Sequence, residues 1–159
     1  MPHIKLFTKI NAPVERCFDL SRSIDLHKIS TNHTNEEAIA GVTKGLINLN
    51  EFVTWRAKHF GVWQKLTSKI TVYEPNVLFV DEMLDGAFKS IHHTHTFEHT
   101  AGVTTMKDDF IFESPLGFLG RLANLIILKS YLTKLLVKRN NIIKEYAETD
   151  LWRRVLYLR

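Results

Sequence analysis

The chain has 159 residues, 45% of them hydrophobic and 24% charged, which suits one folded domain with a real core. A formal net charge of +4 is unevenly placed: residues 115–159 hold nine Lys or Arg against three acids, so this stretch carries +6 and the rest −2. The single cysteine, Cys17, excludes an internal disulfide and a cysteine-based zinc site.

No run of about 18 apolar residues is present to cross a bilayer. Lys5 and Lys9 interrupt the only stretch that a secretory signal could use, so the sequence predicts a cytoplasmic protein.

In chain order, residues 3–10 alternate, with Ile4, Leu6 and Ile10 on one side and His3, Lys5 and Lys9 on the other, the pattern of a half-buried strand. Asn11-Ala12-Pro13 stops it, and Pro13 is placed to open a helix carrying Val14, Cys17, Phe18 and Ser21 at helical spacing. Cys17 reads there as a small buried hydrophobe. A second short helix is predicted over residues 24–29, then a polar loop over 30–35. Six strands follow, over 37–42, 49–59, 64–73, 79–84, 88–99 and 104–113, punctuated by Gly45, Gly61, Pro75-Asn76, Asp85-Gly86 and Ala101-Gly102.

Pro115 opens a long helix reaching Ala147. Leu125, Leu128, Leu132, Leu135, Ile142 and Tyr146 recur at steps of three and four, with Arg139 filling one slot of the stripe. Its first half is apolar almost all round, with Arg121 the only charge between Leu116 and Leu128. Such a helix must be covered on both faces, or border a cavity or a membrane.

The order of strand, two helices, six strands and long helix resembles the helix-grip fold of START-like and polyketide-cyclase-like (SRPBCC) proteins over roughly residues 3–147. Four stretches are similar to a bacterial SRPBCC subgroup labelled cell-division-inhibitor-like. They are Val53-Thr54-Trp55-Arg56-Ala57-Lys58-His59-Phe60-Gly61, Phe79-Val80-Asp81-Glu82, His93-Thr94-His95-Thr96-Phe97-Glu98, and residues 104–108 followed by Ser114-Pro115-Leu116-Gly117. The resemblance implies an α+β fold in which a curved antiparallel sheet of about seven strands wraps a long C-terminal helix, with a ligand pocket between them. It carries no catalytic motif onto this chain, and its label supplies no mechanism.

Strand parity assigns the faces. A four-residue loop from Thr100 to Val103 pairs His99 with Thr104, Phe97 with Met106 and His95 with Asp108. A three-residue loop from Asp85 to Ala87 puts Phe79, Asp81 and Met83 on the same inner face, where Trp55, Ala57 and His59 also belong. His92, of opposite parity, points outward. The expected ligand-binding set is Trp55, His59, Asp81, His93, His95, Phe97, Met106, Asp108 and Phe110 from the sheet, with Leu122 and Ile126 from the first half of the helix.

Four readings of the inward His and Asp residues stand side by side. They are a satisfied buried pair, a polar anchor for an amphipathic ligand, an acid–base pair of His95 and Asp108, and a weakly signalled metal site. The first two lead, so no metal or cofactor is assigned.

The function expected is intracellular binding of a hydrophobic or amphipathic small molecule such as a lipid or polyketide. A cyclase or dehydratase using His95 and Asp108 is the alternative. No Gly-rich phosphate loop or nucleophile elbow is present. The basic residues sit among aliphatics, which argues against nucleic acid. Residues 1–149 are taken as the ligand-binding domain and 150–159 as an aromatic and basic tail. Packing on its own domain or a homodimer contact ranks ahead of an anionic membrane for that tail.

Overall fold

The structure, a computed structural model, describes residues 1–114 and 121–157, with 121–124 described along the backbone only. Strand β1 (His3–Ile10) leads into helices α1 (Val14–Ser21) and α2 (Ile24–Ser30). Strands β2 (Glu37–Gly41), β3 (Phe52–His59), β4 (Val62–Glu74), β5 (Leu78–Gly86), β6 (Ser90–Thr100) and β7 (Val103–Glu113) follow, then helix α3 (Arg121–Glu148) and a short α4 (Arg153–Leu156). The expected start of the long helix, residues 115–120, lies outside the described residues.

The seven strands form one antiparallel sheet in the order β1-β7-β6-β5-β4-β3-β2. Two tight turns fix its registers. Phe60-Gly61 and Ala101-Gly102 each place both residues at positive φ (51° and 77°, 51° and 81°), the geometry that matches the twist of flanking strands. The second turn pairs Thr100 with Val103, and with it His95 with Asp108 and Phe97 with Met106, as the parity argument requires.

The β5–β6 hairpin pairs Phe79 with His95 and Asp81 with His93, two places along from the pairing that a loop of Asp85 to Ala87 dictates. A slide of two leaves every side chain on its expected face. Irregularities in the β4–β5 ladder on either side of Ser68–Ile70 bend the sheet there.

Strand ends shift by one or two residues, and two segments differ further from expectation. Residues 49–51 are not strand, because Glu51 turns back to accept from the Asn48 amide at 2.7 Å and Asn50 is left-handed. The polar loop after α2 contains a 3-10 turn at Asn32–Thr34, with Thr34 donating to the Thr31 carbonyl at 2.7 Å.

The main core lies between the sheet's concave face and the α1, α2 and α3 helices. Phe18 of α1 meets Tyr73, Phe79 and Phe97 edge-on at 5.3–5.6 Å, closing one end of the sheet with rings. Cys17 beside it is fully buried, and burial pushes its thiol up to about 11. Helix α3 buries Leu136, Arg139, Asn140, Ile143 and Ala147, a stripe at steps of three and four that carries two polar residues at its centre.

Trp152, Val155 and Leu156 pack against the same core, and the Arg16 guanidinium sits 4.3 Å above the Trp152 ring, so this part of the tail folds back on its own chain. No helix among the described residues is long and apolar enough to cross a membrane.

Candidate ligand-binding cavity

A cavity of about 200 Å³ opens between the inner sheet face and the middle of α3. Trp55, Ile70, Phe79 and Phe110 supply apolar wall from four strands, and Leu132 and Leu136 cover it from the helix. Alternation along each strand delivers these side chains to one face, and the bend at Ser68–Ile70 keeps sheet and helix apart over them.

Of the expected ligand-binding residues, Trp55, His59, Asp81, His93, His95 and Phe110 line this cavity. Phe97, Met106 and Asp108 are buried behind the wall and are not part of it. Ile126 corrects the expectation: it is 67% exposed and lies outside the cavity. At 3.6 residues per turn it stands about 120° round the helix from Leu132, away from the sheet-facing stripe. Among the described residues, α3 contributes to the wall between Leu132 and Arg139. The side chain of Leu122 lies outside the described residues.

Behind the wall sits a buried polar network centred on Asp108, which is 0% exposed. His93 Nε2 lies 2.8 Å from Asp108 Oδ1, and His95 Nδ1 stands 3.2 Å from the same oxygen, off the line of a good hydrogen bond. Asn140 Nδ2 donates to Asp108 Oδ2 at 2.6 Å. Arg139 brings a guanidinium nitrogen within 3.6 Å of Oδ1 and donates to the Ser21 carbonyl at 2.8 Å.

Burial alone would push the Asp108 carboxyl up, but the hydrogen bond to His93 and the close His95 imidazole hold it well below the usual carboxylate range. Burial, reinforced by the neighbouring His93, pushes the His95 imidazole well below its ordinary value and keeps it neutral. Burial also lowers Arg139, with Asp108 and Asp81 pulling it back up. Asp108 and Arg139 thus form a buried pair of opposite charges.

Asp81 differs. It lines the cavity, and its Oδ1 is closed off from solvent without a hydrogen-bond partner among the described residues. Burial pushes its carboxyl up, with Ser68 partly offsetting the effect.

A second polar group lines the cavity where β3, α2 and the start of β2 meet. His27 Nε2 lies 3.1 Å from Glu36 Oε1, and the His27 ring lies 4.2 Å from the Trp55 ring. Burial would raise the Glu36 carboxyl, yet the neighbouring His27 holds it below its usual value. His59 Nδ1 shares a 2.8 Å hydrogen bond with the Tyr131 hydroxyl of α3, and burial lowers its imidazole against the pull of Glu36.

Sequence reasoning missed His27, Glu36, Tyr131 and Asn140. Arg139 did announce itself, as the one charge in an apolar stripe. The others come from loop ends and helix positions that strand parity does not reach.

His93, His95 and Asp108 bring three potential ligand atoms within 4.8 Å of one another. In this arrangement the three groups face one another and Arg139. Two ligands of a tetrahedral ion with bonds of about 2 Å stand roughly 3.3 Å apart, wider than the 2.8 Å between His93 and Asp108. Arg139 already supplies the positive charge at the carboxylate.

A concave antiparallel sheet gripping one long helix over a mixed apolar and polar cavity is the helix-grip fold of START-like proteins, and this chain has that fold. Among solved structures, a START superfamily protein from Mycobacterium smegmatis superposes with a TM-score of 0.69 at 10% identity, covering 92% of this chain and 97% of that one. A protein from Thermus thermophilus gives 0.69 at 16% identity, covering 89% and 97%. A major latex-like protein from Panax ginseng gives 0.65 at 13% identity, covering 93% and 98%. No protein-family model matches the sequence, and no curated protein matches it significantly. The narrower subgroup resemblance thus rests on the four sequence stretches alone.

Proposed function

We propose that the protein binds one small, uncharged, mostly apolar molecule in the cavity, anchored at a single polar point by Asp81. The observation that carries this reading is the unpartnered Oδ1 of Asp81 in a cavity wall where Arg139 and Glu36 already have partners. A buried polar atom without a partner is costly, and a ligand hydroxyl or carbonyl would satisfy it. A carboxyl pushed up by burial is able to donate as well as accept.

A neutral ligand is favoured because Arg139 already faces Asp108 and Glu36 is already hydrogen-bonded to His27. At about 200 Å³ the cavity is smaller than the roughly 300–1,000 Å³ of drug-sized sites, which favours a compact ring system over a two-chain lipid. Native mass spectrometry of the purified protein tests this. A bound neutral species lost on Asp81→Ala supports the reading, and an anionic one counts against it.

The enzymatic alternative, a cyclase or dehydratase, draws on His93 and His95 lining the cavity with Asp108 behind them, as a carboxylate orients a general base. A neutral His95 suits a base better than an acid. Recovery of the bound molecule at unchanged mass after long incubation separates binder from enzyme.

A further inference from the structure

Several exposed apolar side chains gather at one end of the molecule. Successive antiparallel strands put the β3–β4 turn and the β5–β6 turn at the same end, and β7 runs up to that end before α3 starts back from it. At the β3–β4 turn, Phe60 is 63% and Trp63 53% exposed, with Val62 exposed between them.

The turn is not loose. Phe60 packs at 4.6 Å on Tyr131 of α3, whose hydroxyl is bonded to His59 of the cavity wall. Ile127, one helical turn before Tyr131 on the same face, is 58% exposed, and Ile126 beside it is more so. Hairpin tip and helix thus meet through Phe60 and Tyr131 in an apolar ridge, at the end where His59 borders the cavity.

Cations surround the ridge. On the outer sheet face Lys58 stands directly across from Trp63, and Arg56 lies 5.3 Å from its ring with Lys65 across the ladder. Lys129 follows Ile127 on α3. Among the described residues no carboxylate pairs with Lys58, Lys65 or Lys129. Aromatic and aliphatic side chains ringed by unpaired lysines are the complement of an anionic lipid surface, whose interface accepts Trp and Phe while its headgroups attract cations.

We propose that this end, made by Phe60, Val62 and Trp63 of the β3–β4 turn with Ile126 and Ile127 of α3, docks on anionic bilayers. The contact does not depend on what the cavity holds. It also moves the membrane contact away from the tail, whose Trp152 and Leu156 are engaged with the protein's own core.

The test is co-sedimentation of the full chain with phosphatidylcholine vesicles, with and without phosphatidylglycerol, at low and high salt. Binding to the anionic vesicles alone, reversed by salt and accompanied by a blue shift of Trp63 emission, is the expected result. Lys58→Glu with Lys65→Glu lowers partitioning by about thirtyfold or more, and Phe60→Ser with Trp63→Ser abolishes it. All four side chains are at or near the surface, so circular dichroism and melting temperature check that each variant is folded. No sedimentation at low salt overturns the proposal. So does binding that survives both pairs of substitutions, binding lost only in Trp152→Ala with Leu156→Ala, or a dimer in solution that buries Trp63.

Discussion

Asn140 of α3 donates to Asp108 of β7 across 2.6 Å, so the long helix is fastened to the sheet at its middle by a polar contact. The neighbouring Arg139 faces the same carboxylate and ties back to the Ser21 carbonyl of α1. Three layers of the fold therefore meet at one buried ion pair, beside the cavity they enclose.

Replacing Asp108 by Ala is expected to destabilise the protein by about 3–5 kcal/mol, because it leaves the buried Arg139 charge without its counter-ion. Urea unfolding followed by circular dichroism measures this. The double replacement Asp108→Leu with Arg139→Met removes both charges and should recover much of the loss. A single variant as stable as the parent would show that the network contributes little.

Asp81→Asn should raise stability near pH 7 while weakening ligand binding. Because burial raises the Asp81 carboxyl, the folded state holds a proton that the unfolded chain releases, and stability falls as pH rises through this interval. An amide removes that pH dependence but puts a donor in place of one acceptor oxygen. Thermal melts at two pH values, with ligand titration of both proteins, decide it. A less stable Asn variant would refute the sign.

Acid should lower the stability of the protein in two stages. His95 is neutral when folded and binds a proton when unfolded, so stability falls as pH drops below about 6.5, the unfolded histidine value. Its slope is about 1.4 kcal/mol per pH unit for each such group, and His59, lowered in the same direction, adds to it. Asp108, depressed in the folded state, adds a second loss below about 3.9. His95→Gln should flatten the first stage only, which stability curves between pH 4 and 8 would show.

Ligand binding should change the emission of Trp55, which is buried in the cavity wall against His27. Trp63, on the outer sheet face, and Trp152, packed against Arg16 of α1, should respond little. Variants retaining one tryptophan each separate the three signals, and a response confined to Trp63 or Trp152 would place the ligand elsewhere.

Much of this is legible in the sequence, since period-two alternation forces whole strands onto one face. The Ala101-Gly102 turn sets the β6–β7 register outright, and the β5–β6 slide changes no face because it is even. Helix α3 is harder. A sequence apolar nearly all round offers no phase, so spacing alone places Ile126 inward although it points out, and it gives no sign of Asn140 one place from Arg139. His27 and Glu36 meet only because the chain doubles back between α2 and β2, which no local pattern encodes.

Cys17 has a consequence for experiment. Its sulfur is enclosed by α1 and Thr104 and is protonated at any physiological pH, so the folded chain offers no thiolate to an alkylating reagent. It is also the only cysteine. Labelling therefore requires an opening of α1 away from the sheet, and the denaturant dependence of the labelling rate distinguishes partial openings from global unfolding. The molecule carries its own counter of how often the ring-packed end of its sheet comes undone.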